Sequence, residues 1–423
     1  MRITIIAYGT RGDVQPAIAL GQALQARDHR VRVLAGASFH DWIRAHGLEP
    51  GKTEVDIQKI MESAGGVAWV EEGHNPLRQV QLMKRLLDQS GWPQAWDAWQ
   101  AAQDADLLIS GFTSDVYATA IAEKLGIPHA RMLLQPTFTT RDGRALLSAP
   151  WPDRRSIVNQ WFAQAIMEPF PWRLLGEITT RLRRELGLAP QSAGDNAAMR
   201  RALPTLLAYS PAVVPHPDDW PANAHTTGYW FLNEDDDWQP PEALQRFLDA
   251  GPPPLYVGFG SMTGRDPERL TRLIHDAVVA SGERALVAAG WSGLGAGLLA
   301  DGILPIGSTS HPWLFARVAG VVHHGGAGTT AAGLRAGKPT LIVPHFADQP
   351  FWGQRVHALG VGPRPIPRQH LTAARLAVGL RELRTPAFRE RAAALGARIR
   401  VEDGLSHAVT VIEGLDPTRT NRT

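Results

Sequence analysis

The sequence predicts an α/β protein made of two doubly wound, parallel-sheet domains, and three observations lead there. At 423 residues the chain exceeds a single hydrophobic core, which suggests two domains of roughly 200 residues each. Short apolar runs of strand length alternate with longer amphipathic runs of helix length in the first 135 residues, and again from Leu255 onward. Between these regions the stretches PHPDDWPANAHTTGYW and NEDDDWQPPEALQRFLDAGPPP are rich in proline and acidic residues, as linkers are. The expected division is an N-terminal domain over 1–215, a linker over 216–254, a C-terminal domain over 255–400, and a last helix and tail over 401–423.

Lys+Arg 43 against Asp+Glu 41 leaves a formal charge of +2, and no basic tract suits nucleic acid. The sequence pI of about 9.0 still permits weak attraction to an anionic membrane surface, so peripheral membrane contact stays open. Zero cysteines exclude disulfides, thiolate metal sites and a cysteine nucleophile, and they fit a reducing compartment. Met1-Arg2 leads straight into a short strand, without the apolar region of a signal peptide. No apolar run approaches the roughly 20 residues of a membrane span. A soluble, cytoplasmic protein is expected.

In the N-terminal domain the pattern predicts strands over 3–7, 31–34, 107–110 and 129–134, with helices over 14–26 and 115–125. Ligands of such sheets bind at the carboxyl ends of the strands. The first of these ends is the turn YGTRGDVQP, Tyr8 to Pro16. Gly9 and Gly12 permit a tight bend, and Asp13 lies where the chain enters the helix. As a first-turn carboxylate Asp13 would stabilise the helix by about 0.5–2 kcal/mol. Its other reading is a base that removes a proton from a hydroxyl. Thr10 and Arg11 are close enough to face an anion, and Arg11 is equally well read as a solvated charge.

From Leu48 to Asp104 the alternation breaks down. Trp92, Trp96 and Trp99 recur at helical spacing, with Leu82, Leu86 and Leu87 nearby, which reads as a helix packed on the core or as one wall of an apolar cleft. The stretch Trp151 to Leu175 adds Trp161, Phe162, Phe170 and Trp172. Asp235, Asp236 and Asp237 follow no predicted strand and read as a solvated acidic turn rather than a metal motif.

The C-terminal domain opens with a strand over 255–259 that ends in Gly260-Ser261-Met262. A helix over 270–281, a strand over 285–289 followed by Gly290-Trp291, and a short strand over 304–306 come next. After SHPWLFARV, Val321 and Val322 close a further strand behind a glycine-rich run. Gly325, Gly326 and Gly328 let the backbone approach a ligand, and a helix is expected to open at Thr329 and Thr330. A helix start presents unpaired N–H groups and a partial positive charge, which suits a diphosphate, and His324 stands where an imidazole donates to a phosphate oxygen. The strand over 340–343 precedes Asp348 and Gln349, whose side chains offer the acceptors and donors that sugar hydroxyls need. Helices over 352–359, 372–383, 388–400 and 404–415 complete the chain, with a frayed polar end from Asp416.

The runs HHGGAGTTAAGLRAGKP and FADQPFWGQRV resemble the donor signature of nucleotide-sugar glycosyltransferases of the two-domain GT-B class. That family includes plant UDP-glycosyltransferases, sterol glucosyltransferases and bacterial enzymes that glycosylate antibiotics, and the wording is most similar to the sterol glucosyltransferase-like bacterial branch. The resemblance implies a GT-B fold, two Rossmann-like domains facing each other across a cleft, with the last helices crossing back to brace the first domain. It implies an inverting, metal-independent transfer of a hexose from UDP-glucose or a dTDP-sugar to a hydroxyl of a lipophilic acceptor: a sterol, terpenoid or polyketide. No cofactor beyond the nucleotide-sugar cosubstrate is implied. The GxRGD wording of Gly9 to Asp13 makes Asp13 the general base. Thr10, Arg11, Ser261, Trp291, His311, His324, Gly325, Gly326, Ala327, Gly328, Thr329, Asp348 and Gln349 become donor-site candidates. The aromatic insertions correspond in position to acceptor-binding regions, with Trp92, Trp96, Trp161 and Phe170 as candidates. The plant family's base-stacking Trp-x-Pro-Gln is absent, so Trp313 reads equally as a packing residue and the nucleotide base is not specified. Two competing readings are an epimerase on the same scaffold and a non-catalytic partner of another transferase. A nicotinamide dehydrogenase is disfavoured, because the first turn lacks GxGxxG and no acidic residue follows at the right distance.

Overall fold

The computed structural model describes residues 1–71, 76–232, 238–260, 266–288 and 302–416. The chain divides into two compact units. The first comprises Met1–Gly66, Leu77–Leu232 and Glu402–Thr423, and the second Val67–Pro76 and Asn233–Val401. Residues 216–232, within the expected linker, therefore belong to the first unit, and the helix Glu242–Asp249 belongs to the second.

The first unit is built on seven parallel strands: β1 (Arg2–Ile6), β2 (Arg30–Leu34), β3 (Glu49–Pro50), β4 (Leu107–Ser110), β5 (His129–Leu133), β6 (Thr205–Leu207) and β7 (Ala224–Thr226). Their order is β3-β2-β1-β4-β5-β6-β7. Ile3, Ile5, Leu107, Leu108 and Ile109 are buried because helices cover both faces, which is why these strands read as continuous apolar runs. β1 pairs with β2 on one side and β4 on the other. The order reverses there, so the turn after β1 opens at a topological switch point, where such sheets bind ligands.

Helix starts depart from expectation where caps intervene. The first helix spans Arg11–Gln25 instead of beginning at Val14, because Thr10 and Asp13 close its N-terminus. The segment after Leu48 holds a long helix, Pro76–Ala101. Ala95, Ala98 and Ala101 of that helix pack with Ile6, Leu108, Val116 and Tyr117, and Trp92 and Trp99 lie partly buried against the same cluster, whereas Trp96 is exposed. The last helix, Gly404–Glu413, lies against Arg11–Gln25. Ala408, Val409 and Ile412 join Ile18, Leu20 and Leu24 in one core, and Arg27 Nη2 pairs with Glu413 Oε2 at 3.1 Å.

The second unit carries five parallel strands: β8 (Leu255–Gly258), β9 (Ala285–Ala288), β10 (Ile303–Ile306), β11 (Gly320–His323) and β12 (Thr340–Ile342). Their order is β10-β9-β8-β11-β12. The reversal falls between β8 and β11, so Gly260 and His324 leave the sheet side by side at its switch point.

Candidate functional site

At the carboxyl end of β11 the chain makes a turn that only glycine permits. Gly325 has φ 97°, and a Cβ there would lie 2.7 Å from Ile342 Cγ2 and 3.2 Å from the Gln349 carbonyl oxygen. The same close approach brings the start of one helix, Ala327–Arg335, beside the start of another, Gln349–Ala358. The first of these begins at Ala327 with Gly326 as its N-cap, two residues before the expected Thr329. Thr330 donates its N–H to the Gly326 carbonyl at 3.0 Å, leaving the Ala327, Gly328 and Thr329 amides with no upstream carbonyl of the helix to bind.

Histidines surround this helix start. The fully buried His323 accepts the Gly325 N–H at Nδ1, 3.0 Å away, which places its own ring proton on Nε2. A Cβ on Gly326 would meet His324 Nε2 at 2.7 Å, so that imidazole edge lies against the N-cap. Burial pushes His324 down to about 4, and it holds His323 and His345 well below the usual imidazole range as well. All three are neutral at pH 7, so the His324 ring offers an N–H donor and no cationic charge. Both ring nitrogens of His345 are buried without a hydrogen-bond partner, and its ring stacks on Phe259 at 6.0 Å. His311 opens the helix His311–Arg317 with its ring stacked on Phe315 at 4.7 Å. Trp313 packs on Trp238 at 5.0 Å under the Arg317 guanidinium, in keeping with the packing alternative.

Asp348 and Gln349 come together with the glycine turn but have different surroundings. Asp348 Oδ2 accepts the Trp352 indole N–H at 2.7 Å. Gln349 is 4% exposed in the sequence's FADQ loop, and its Oε1 accepts the backbone N–H groups of His345 at 2.8 Å and Phe346 at 3.3 Å. Its carbonyl thus shapes the loop, and only its amide nitrogen is left to meet a ligand. Ser261 and Trp291 lie outside the described residues, as do Asp235, Asp236 and Asp237.

In the first unit, Asp13 Oδ2 accepts the Thr10 N–H at 2.8 Å and the Thr10 hydroxyl at 3.2 Å. Asp13 is therefore a capping carboxylate, the first of its two readings, and burial raises its pKa in spite of these hydrogen bonds. Gly9 has a specific reason to be glycine: a Cβ there would fall 2.2 Å from Asp13 Oδ2. Thr113 Oγ1 donates to the Tyr8 carbonyl at 2.8 Å, and the Tyr8 hydroxyl donates to Thr53, which donates to Asp97 at 2.6 Å. These anchors of the turn come from distant segments and had no signal in the sequence. Arg11 holds its guanidinium 4.8 Å over the Trp42 ring.

The aromatic candidates divide. Trp92 stacks on Trp96 at 5.7 Å, with the Arg181 guanidinium 3.7 Å from the Trp92 ring centre. Phe170 packs against the core beside Leu174 and Leu175. Trp161, by contrast, is 65% exposed on the short helix Ile157–Phe162, next to Ile157 at 63%. Among the described residues, no group of three or more His, Asp or Glu is arranged to hold a metal ion, and no helix is long and apolar enough to cross a membrane.

Comparison with known proteins gives a consistent result over both units. Residues 3–141 match the glycosyltransferase family 28 N-terminal domain, and residues 295–403 match the erythromycin biosynthesis protein CIII-like C-terminal domain. A sterol 3-beta-glucosyltransferase of Aspergillus fumigatus is 36% identical over 431 residues, covering 97% of this chain and 30% of the relative. The corresponding protein of Cryptococcus neoformans is 34% identical over 440 residues, covering 97% of this chain and 27% of the relative. The chain thus spans less than a third of the length of these curated relatives. Among solved structures, the kitacinnamycin glycotransferase matches with a TM-score of 0.72 at 18% identity, over 98% of this chain and 99% of that one. The calicheamicin glycosyltransferase CalG4 matches with a TM-score of 0.70 at 18% identity, over 98% of each chain. Glycosyltransferase VinC, solved with dTDP, matches at 0.64 and 20% identity over 98% of this chain and 99% of that one.

Proposed function

We propose that this chain is a GT-B glycosyltransferase that moves a hexose from a nucleoside-diphosphate sugar to a hydroxyl of a lipophilic acceptor, with inversion and without a metal; the glycosyltransferase domain matches in both units, the sterol glucosyltransferase relatives and the shared fold support this reading. The observation that carries this reading is the helix start at Gly326, with unpaired amides and the neutral His324 edge at a sheet switch point. As the glycosidic bond breaks, charge accumulates on the departing diphosphate. Fixed amide donors at Ala327, Gly328 and Thr329, with the His324 N–H, stabilise that charge where it develops. Asp348, on the adjoining loop, accepts hydrogen bonds from sugar hydroxyls, and Gln349 contributes its amide N–H.

Inversion by direct displacement requires a base acting on the acceptor hydroxyl from the face opposite the leaving group. Asp13 takes that role. Burial raises its pKa towards the working pH, which improves a carboxylate as a base, and Thr10 fixes its orientation. The name of the curated relatives, sterol 3-beta-glucosyltransferase, supports glucose as the sugar and a sterol-like 3-hydroxyl as the acceptor. UDP-glucose is therefore the first donor to try and a dTDP-sugar the second. The exposed Trp161 and Ile157 suit an apolar acceptor or the membrane surface from which one is drawn.

Calorimetric titration with UDP, dTDP and GDP, with and without EDTA, tests the donor site, and product analysis with and without a hydroxylated lipid tests the transfer. Binding of one nucleotide regardless of chelator, followed by acceptor-dependent glycoside formation, is expected. Sugar isomerisation without acceptor would replace the reading with an epimerase. No nucleotide binding by the folded protein would replace it with a non-catalytic partner.

A further inference from the structure

The first unit holds a small cavity, about 40 Å³, that the proposed chemistry leaves unused. Phe112, Phe138, Met167 and Pro171 give it apolar walls, and its charged lining is three arginines, Arg131, Arg200 and Arg201, against one carboxylate, Glu168. Phe112 follows β4 and Phe138 follows β5, so the cavity opens at the same sheet edge as the turn that carries Asp13.

The charges behind it do not balance. Asp115 is fully buried and accepts from Arg131 Nη2 at 2.7 Å and Nε at 2.9 Å, and it also pairs with Arg200 Nε at 3.1 Å. Arg131 Nη1 donates to the Arg200 carbonyl at 3.3 Å. The neighbouring Glu168 pairs with Arg201 Nε at 3.1 Å. Two buried guanidiniums therefore share a single carboxylate. Arg200 is only 7% exposed, and Nε is its one nitrogen both buried and without a hydrogen bond, so its terminal Nη1 and Nη2 groups are the part of the guanidinium that the cavity reaches. Two buried cations on one carboxylate leave an excess of positive charge beside the cavity, and an anion at those N–H groups would offset it. One water needs roughly 10–15 Å³ measured in the same way, so the cavity admits two or three waters or one carboxylate.

We propose that this cavity is a subsite for a carboxylate, or an oxyanion of similar size, with Arg200 gripping it through Nη1 and Nη2. The apolar walls indicate that the anion arrives on an apolar body. The ligand class is then a hydroxylated lipophilic acid, such as a steroid or fatty acid with a hydroxyl at the far end. That assignment to an acceptor rests on the proposed transferase function, whereas anion binding does not.

The test titrates the full chain calorimetrically, without donor, with a 3-hydroxysteroid bearing a side-chain carboxylate and with its methyl ester. Charge-assisted hydrogen bonds predict an acid-over-ester preference of about ten- to a hundredfold. Arg200→Gln leaves Asp115 paired with Arg131, and the preference should fall to about one. Arg200→Lys keeps the charge without the paired donors and should retain part of it. Melting temperatures identify a variant that fails to fold, in which case the wild-type acid–ester comparison decides. Equal binding of acid and ester, or a preference unchanged in folded Arg200→Gln, overturns the proposal. Sodium acetate separates the sources: if it stabilises the wild type but not Arg200→Gln while acid and ester bind alike, a free anion fills the cavity and the acceptor assignment fails. An acid preference that persists when no glycoside forms would uphold the subsite and refute the transferase reading instead.

Discussion

Replacing Asp13 by asparagine separates the two roles this carboxylate plays. Asparagine has the same shape, and its carbonyl oxygen can accept the Thr10 N–H and hydroxyl that Asp13 Oδ2 now receives at 2.8 and 3.2 Å. What disappears is the charge. At a helix N-terminus that loss costs about 0.3–1 kcal/mol, and relief of burying a carboxylate, the cause of its raised pKa, offsets part of it. The melting temperature should therefore fall by no more than about 2–4 °C. A general base contributes about 10²–10⁴ in rate, which corresponds to about 2.7–5.5 kcal/mol of barrier. Asp13→Asn should thus lose transfer by at least a hundredfold at saturating donor while nucleotide affinity and folding stay near wild type. The assay combines initial rates of glycoside formation, calorimetric nucleotide binding and a thermal melt on the same preparation. Asp13→Ala should abolish transfer too, with about 1 kcal/mol of further stability lost with the cap. A folded Asp13→Asn variant that transfers within about threefold of wild type would refute the base assignment.

Gly9→Ala should mimic this kinetic defect while leaving residue 13 an aspartate, because the new Cβ would fall 2.2 Å from Asp13 Oδ2 and push the carboxylate aside; normal turnover would show that the carboxylate need not sit there. His324→Ala should weaken nucleoside diphosphate binding in calorimetry, and unchanged affinity would remove His324 from the phosphate site. Acid should destabilise the fold through its buried neutral histidines. Unfolded histidine titrates near 6.5, whereas burial holds His129 at about 3 and His324 at about 4, so the unfolded chain binds more protons and stability is lost as pH falls below 6.5. Between pH 7.5 and pH 5 each should withdraw about 2 kcal/mol, with His323 and His345 acting in the same direction, and urea denaturation at the two pH values measures it. Equal midpoints would show that these rings are not held neutral.

What the sequence makes legible follows from what burial does to it. β1, β4 and the helix Asp115–Leu125 stand out because covering both sheet faces demands unbroken apolar runs, and that helix occupies its expected bounds. β6 and β7 are three residues each, too short for a pattern to form. Helix starts were misjudged by two or three residues at Arg11, Ala327 and Gln349, since apolar periodicity locates a helix face while the cap decides its first turn. The glycine turn and Asp348 could be picked out by residue type and spacing. The commitment of Gln349 Oε1 could not, because the amides it binds are presented by the folded loop. Nor could the Asp115–Arg131–Arg200 cluster, whose arginines are 69 positions apart and converge only when β5 meets the helix Ala193–Ala202.

The return of Gly404–Glu413 to the first unit has a consequence for how the molecule is made and rebuilt. Ala408, Val409 and Ile412 complete a core whose other members include Ile18, Leu20 and Leu24, which leave the ribosome before the second unit does. The early half must therefore wait, with one apolar face uncovered, until the later half has been translated. Swapping donor-binding halves between related chains by a single cut after Leu232 would separate that face from its cover. A working hybrid has to take its final helix from the same parent as its first.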